Sequence, residues 1–375
     1  MTVSARQLNR ATLARQLLLE REPLSVSDAV RRIVAIQAQE PASPYLALWC
    51  RLSGFDPAAL DAAFADRVIV RSSLLRLTLH AVHVDDHPAF YRAMLPSLRA
   101  SRLKDRRFTD TGLTAEDLDD LLPQLRDLLA EPRPQDEIDA FLAEQLGQEQ
   151  PRAWWALRMF APLHHAPTGG AWSFERQRSF VAAPAREPPQ HAEAVQQLVL
   201  RYLEGFGPAT IQDIAQFTLL RMKVLRETLA TLDGDLVELD GPDGSSLVDV
   251  PGARRPAGDV PAPARLLPMW DSILLAYAER SRIIPPEIRP EVIRRNGDVL
   301  PTVLVDGYVV GVWRPVEAGI EVTALGTVDD AAWDQLDAEA HALVTFLADR
   351  DPTVYRRYAR WWGSLPSGGT RVLPG

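Results

Sequence analysis

Two glutamines one residue apart, Gln37 and Gln39 in VRRIVAIQAQEPASP (residues 30–44), are the side chains whose type and spacing most invite a chemical reading. An amide offers a carbonyl that accepts and an NH2 that donates, with no ionisation of its own. Chemistry built on two of them is hydrogen-bond chemistry: a water held for attack or a developing charge met by a dipole. The periodicity of SVSDAVRRIVAIQAQ predicts a helix, capped by Ser25 or Ser27, that stops near Gln39 because Pro41 disfavours the α conformation at Glu40. Residues two apart on a helix point about 200° away from each other. The two amides then converge only if the chain turns between them, beside the negative pole of the helix. A plain capping role, in which both satisfy orphan backbone groups, fits the same pattern.

The other constellations argue for structure. His80 and His83 fall on opposite faces of a predicted strand, and neither His87 nor the pair His164-His165 adds a metal-ligand spacing, so no metal site is expected. No Gly-rich phosphate loop follows a strand, and no Gly-x-Ser-x-Gly elbow occurs. The single cysteine, Cys50, excludes an internal disulfide and four-cysteine zinc sites, and points to a reducing compartment. Trp361-Trp362 beside Arg357 and Arg360 reads as core packing with cation–π contacts.

The net charge of −9 over 375 residues hides an uneven distribution. Residues 1–109 carry 16 Arg/Lys against 10 Asp/Glu and end in the basic run SRLKDRRF, whereas residues 110–150 carry 2 against 12. A local basic patch is what a polyanionic partner needs. With only two lysines, Lys104 and Lys223, the arginine excess also reads as the codon bias of a GC-rich genome. The apolar runs fall short of the ~20 residues a membrane span needs. The first segment reads as a helix and not a targeting peptide, so a soluble, cytoplasmic protein is expected.

Positioning these residues takes an order of elements that recurs. Helices over ARQLNRATLARQLLL, SVSDAVRRIVAIQAQ and FDPAALDAAFADR precede VIVRSSLLRLTLHAVHV, a hairpin around a Ser-Ser turn. Three further helices from TAEDLDDLL to RAWWALRMF lead to HHAPTGGAWSFERQ, with a Gly-Gly turn. A third set runs from residue 192 to the hairpin LVELDGPDGSSLVDV. Its third helix, RMKVLRETLATL, carries Arg221, Lys223 and Arg226 and reads equally as a groove reader or a packing helix. Helix, helix, helix, hairpin is the order of a winged helix-turn-helix. The fold class expected is therefore mainly α with β-hairpin wings, an α+β chain of three tandem winged helices at 1–109, 110–185 and 190–250. A Pro/Gly/Ala-rich loop over 240–264 leads into a β-rich module at 265–375 with a closing helix. That module holds the strongest hairpin signal, Asp306-Gly307 in PTVLVDGYVVGVW (301–313).

VAIQAQEP resembles the Gln-aliphatic-Gln signature of the AlkZ-type winged-helix DNA glycosylases. LRLTLHAV (75–82), FGPATIQDIAQF (206–217), LLPMWDSILLAYAERSRII (266–284) and PTVLVDGYVVGVW look like the same family, in the same order and over nearly the whole chain. One departure is Leu77, where many members are expected to carry glycine. The resemblance implies excision of N7-alkylated guanine and unhooking of interstrand crosslinks by a monofunctional enzyme, in alkylation repair or antibiotic self-resistance. It implies three winged helices around duplex DNA with a β-hairpin near the lesion, and Gln37 and Gln39 as the catalytic pair. A sibling branch, the YcaQ-like enzymes, carries Asp at the second position, so Gln39 places this chain with the Gln-Gln group. No metal or cofactor is implied. The expected partner is double-stranded DNA, met by a bacterial, nucleoid-associated monomer with no membrane contact. Charge and position nominate Arg71, Arg76 and His80 on the first hairpin, Arg280 and Arg282, and the tip Asp306-Gly307 for DNA contact. The alternative reading is a non-catalytic winged-helix regulator or lesion-binding protein, and a third is a protein that sequesters a drug. Neither the dimerisation helix nor the symmetric recognition site expected of a regulator is clear in the chain.

Overall fold

The computed structural model describes residues 2–175, 177–366 and 369–374. Helix α1 (Ala5–Arg15) begins at a capping box in which Ser4 and Gln7 satisfy one another's backbone N–H. Helix α2 (Val26–Ile33) is capped by Ser25, whose side chain accepts from Asp28 N. It ends well before the glutamines. Val34 takes φ +75°, a turn that breaks the helix, and Ile36–Gln37 form a short strand β1. The expected helix up to Gln39 is thus corrected to helix, break and strand. The sequence IQAQ (36–39) alternates apolar and polar residues, the period of a strand, and β1 gains a ladder partner that a helix end would lack.

After α3 (Ser43–Trp49) and α4 (Pro57–Ala65), capped by Asp56, come β2 (Ile69–Ser73) and β3 (Leu79–His83). The hairpin turn lies one step later than the Ser-Ser pair suggests. Ser72 and Ser73 belong to β2, and Leu74–Thr78 make the connection, with Arg76 at φ +51° and Leu77 at φ +60°. Two successive left-handed residues explain why glycine would suit position 77.

Helices α5 (His87–Leu103), α6 (Arg106–Thr109) and α7 (Ala115–Leu128) lead to strand β4 (Arg133–Pro134). Then come α8 (Gln135–Leu146), α9 (Pro151–Phe160), β5 (Leu163–Ala166) and β6 (Ser179–Ala182). The first two hairpins do not stand apart: they share one six-stranded sheet in the order β1-β3-β2-β5-β6-β4. Helices α10 (His191–Phe206), α11 (Ile211–Thr218) and α12 (Met222–Thr231) precede the separate hairpin β7 (Val237–Asp240) and β8 (Ser246–Asp249). Thr210 caps α11, as its position suggests.

The last part is a five-stranded antiparallel sheet, β13-β12-β11-β10-β9. Its strands are β9 (Arg265–Leu267), β10 (Thr302–Val305), β11 (Tyr308–Val316), β12 (Gly319–Ala324) and β13 (Thr370–Leu373). Helix α13 (Arg289–Val292) lies between β9 and β10, and α14 (Asp330–Ala348) packs on β9, β12 and β13. Asp306 and Gly307 turn β10 into β11 with φ +49° and +81°, the paired positive φ of a two-residue hairpin loop. One apolar core runs through all these parts, from Leu13 and Val30 to Trp313 and Leu336.

Candidate active site

The four residues Gln37 to Glu40 are fixed from several directions. Gln37 lies opposite His80 in the ladder and is 4% exposed; its Oε1 accepts from Arg76 Nη2 at 2.7 Å. Ala38 donates from its N–H to Leu79 O at 2.8 Å and accepts at its carbonyl from Arg71 Nε at 3.0 Å. Glu40 accepts from Tyr358 OH at 2.9 Å and pairs with Arg357. Gln39 is the exception. It is exposed, and its side chain has no hydrogen-bond partner among the described residues. The segment is therefore rigid around one free amide. The helix pole expected beside these amides is absent, because α2 ends at Ile33.

Gln39 lines an open cleft of about 730 Å³. Glu40, Leu77, Thr78 and Leu79 continue its wall, and Trp172 and Phe174 supply aromatic surface. Cations outnumber anions on it: Arg71, Arg102, Arg158, Arg178 and Arg357 line it against Glu40, Glu175 and Asp351, and Arg357 is the one paired with Glu40. Among the described residues, Arg71, Arg102, Arg158 and Arg178 have no carboxylate within ion-pairing distance. Burial, and then the charge of Arg178, lowers Arg71 to about 10. Arg158 is lowered by burial and then by Arg178 and Arg102. The fold thus holds together guanidinium groups whose like charges repel one another. Arg71 also lies over the Phe174 ring at 4.7 Å, an arrangement suited to a buried guanidinium.

The other nominated residues divide sharply. Arg76 turns inward to Gln37 and also approaches His80 Nε2 at 3.3 Å. His80 is fully buried and held well below its ordinary value by burial and then by Arg76, so it is neutral, with Nδ1 donating to Thr78 O. Arg280 is half-buried near this cluster, and its charge adds to the burial that lowers Arg76 to about 9. Arg282 is committed elsewhere, donating to Pro208 O and lying 4.0 Å over the Tyr277 ring. The Asp306-Gly307 tip is fastened to α1: Asp306 pairs with Arg6 and Arg10, and Gly307 O accepts from Asn9 Nδ2 at 2.8 Å. A Cβ on Gly307 would meet Asn9 Oδ1 at 2.5 Å, so the close approach requires glycine. Arg221, at the N-cap of α12, and Lys223 and Arg226 within it are exposed, while Leu225 and Thr228 of the same helix are buried. His83 bonds Ser27, and His87 meets His164 at 3.4 Å, so the three histidines of 80–87 take separate partners. Arg360 packs on the Trp361 ring at 4.9 Å, a cation–π contact as expected, and Arg294 adds a second at 4.8 Å, whereas Arg357 lies over Tyr358.

Comparison with known proteins decides the family. The family model for DNA glycosylase AlkZ-like proteins matches residues 30–346. This chain belongs to the AlkZ-like DNA glycosylase family. An interstrand DNA cross-link repair glycosylase of Streptomyces sahachiroi is 27% identical over 339 residues, covering 86% of this chain and 91% of the relative. The solved structure of Streptomyces sahachiroi DNA glycosylase AlkZ matches with a TM-score of 0.78 at 24% identity, over 92% of this chain and 96% of that one. The two share a fold of mixed helix and strand. No helix among the described residues is long and apolar enough to cross a membrane.

Sequence reasoning missed Arg158 and Arg178 as cleft residues and saw Arg102 only as part of a basic run. Arg158 sits on α9 and Arg178 just before β6, so their meeting with Arg71 of β2 depends on the shared sheet. No local signal in the sequence announces that junction.

Proposed function

We propose that this chain is a monofunctional DNA glycosylase that hydrolyses the N-glycosidic bond of N7-alkylated guanine and unhooks interstrand crosslinks, in line with the cross-link repair named for its Streptomyces relative. The observation that carries the reading is the free amide of Gln39, presented by a pinned segment into an open cationic cleft. N7 alkylation leaves guanine cationic, so the base departs with the bonding electron pair on N9 and needs no general acid. What remains is to place a water against C1′ of an oxocarbenium-like sugar. Gln39 Oε1 accepts from that water, the new C1′–O bond forms, and the surplus proton passes to solvent. Gln37, 4% exposed and outside the cleft lining, takes the other part. Its oxygen is occupied by Arg76, so its NH2 is the group left to donate.

Arg71, Arg102, Arg158 and Arg178 supply the phosphate contacts of the duplex, a role suited to guanidinium groups that lack carboxylate partners. The two lysines of the chain, Lys104 and Lys223, do not line the cleft, which fits simple hydrolysis over an amine-dependent strand cleavage. An open cleft also suits a bulky crosslink, which need not enter a snug base pocket. The three helix-and-hairpin sets are read as winged helices, with α12 and its N-cap presenting Arg221, Lys223 and Arg226 to the same DNA. The protein acts as a monomer in the cytoplasm, on the bacterial nucleoid.

The test is direct. Incubated with duplex DNA bearing N7-methylguanine, and separately with an N7-crosslinked duplex, the protein is expected to leave abasic sites and to release the crosslink. Gln39→Ala is expected to bind both and to process them roughly a hundredfold more slowly. Tight sequence-specific binding with no abasic product from the wild-type chain would instead support a regulator.

A further inference from the structure

Arg76 is a half-buried cation with an unusual set of neighbours. Its Nη2 donates to Gln37 Oε1 at 2.7 Å and lies 3.3 Å from His80 Nε2. Its guanidinium covers the Phe217 ring at 5.0 Å, and its Nη1 is buried with no partner among the described residues. Among those residues no carboxylate pairs with it either, while Arg280 adds a like charge. Desolvating a cation beside neutral acceptors and a second cation costs stability. Its backbone adds to that cost, since a non-glycine residue at φ +51° is strained. A residue held this way against the interests of stability is a candidate for work at the site.

The neighbours define what that work is. His80 donates from Nδ1 to Thr78 O, which leaves Nε2 as an acceptor for the guanidinium. The guanidinium has donors only, so Gln37 must face it with its carbonyl; a flipped amide would set NH2 against N–H. The Nε2 of Gln37 has no partner among the described residues. We propose that Arg76 is the positioning residue of this reaction: it locks Gln37 in the orientation that presents the amide NH2, and its charge makes that NH2 a stronger donor. His80 in turn fixes the guanidinium. The division of labour follows, with Gln37 donating and Gln39 accepting. The proposal rests on the glycosylase reading above.

A double-mutant cycle tests it, with Arg76→Met, Arg76→Lys, Gln37→Ala and the Arg76→Met/Gln37→Ala pair assayed in single turnover on an N7-methylguanine duplex. Arg76→Met is expected to slow excision roughly tenfold to a hundredfold, the effect of losing one charge-assisted hydrogen bond, with DNA affinity held within about threefold. Arg76→Lys, which keeps a donor, recovers part of the rate. In the Gln37→Ala background the methionine substitution is expected to change nothing further. The side-chain amide resonance of Gln37 shifts in Arg76→Met protein, a readout independent of activity and of folding losses seen in the melting curve. If Arg76→Met slows Gln37→Ala as much as it slows the wild type, Arg76 acts by itself and the proposal falls. A wild-type rate in Gln37→Ala would overturn the glutamine reading too, and an unmoved Gln37 resonance would overturn the positioning role alone.

Discussion

Asp271 receives both Nη1 and Nη2 of Arg51 at 2.8 Å, and neither side chain is more than 2% exposed. Asp249 does the same for Arg15 and takes Arg255 as well. These pairs spend part of the basic excess of the N-terminal third, Arg15 and Arg51, inside the molecule. Charge counted along the chain makes that third look like a polyanion surface, because a count cannot tell an arginine facing solvent from one facing an aspartate two hundred residues away. Leaving one buried partner alone costs about 3–5 kcal/mol, since the remaining charge is desolvated and unpaired. Asp271→Ala should therefore lower the unfolding free energy by about that amount in a denaturant titration. A drop under about 1 kcal/mol would mean that Arg51 finds water or another acceptor. The glutamine pair shows the opposite case. Its residue types are legible in the sequence, but the partners that separate a pinned Gln37 from a free Gln39 are not.

The segment from Ile33 to Gln39 reads as helix in the sequence because apolar residues at helical spacing run into it from α2. The break at Val34 and the pairing of β1 with β3 come from a partner more than forty residues away. The hairpins, by contrast, are largely legible. Asp-Gly at 306–307 forms its turn, and the helices from Ala115 to Phe160 and from His191 to Thr231 fall where periodicity places them. What no element announces is the joining of two hairpins through β2 and β5, which brings Arg71, Arg158 and Arg178 to one cleft. If that junction forms the phosphate track, Arg158→Ala and Arg178→Ala should each reduce the salt dependence of duplex binding. The slope of log K against log salt should fall by about 0.9 for each phosphate that is no longer neutralised. An unchanged slope in both variants would move the DNA track elsewhere.

Across the whole molecule, buried histidines tie stability to pH. His80, His87 and His165 are held well below the ordinary histidine value by burial, with Arg76, His164 and Arg71 as the next contributions. His164 is lowered to about 4, by burial and then by Arg67. The unfolded chain takes up these protons near pH 6.5, whereas the folded chain takes them up only far lower. Their contribution is therefore complete above about pH 6.5 and is lost as the pH falls toward about 4. A melting series from pH 8 to pH 5 should be level at first and then decline, before most carboxylates titrate. A melting temperature unchanged down to pH 5 would contradict the depressed values.

Catalysis by amides predicts the reverse of that sensitivity near neutrality, because neither glutamine gains or loses a proton. The deciding measurement is the single-turnover excision rate of N7-methylguanine from a duplex, across pH 6.5 to 8, for the wild type and for Gln39→Ala. The wild-type rate should be nearly level, and the variant should be slower by roughly a hundredfold at every pH while still binding the duplex. A variant as fast as the wild type, or a wild-type rate that climbs steeply through this range with a single ionisation, would contradict the account.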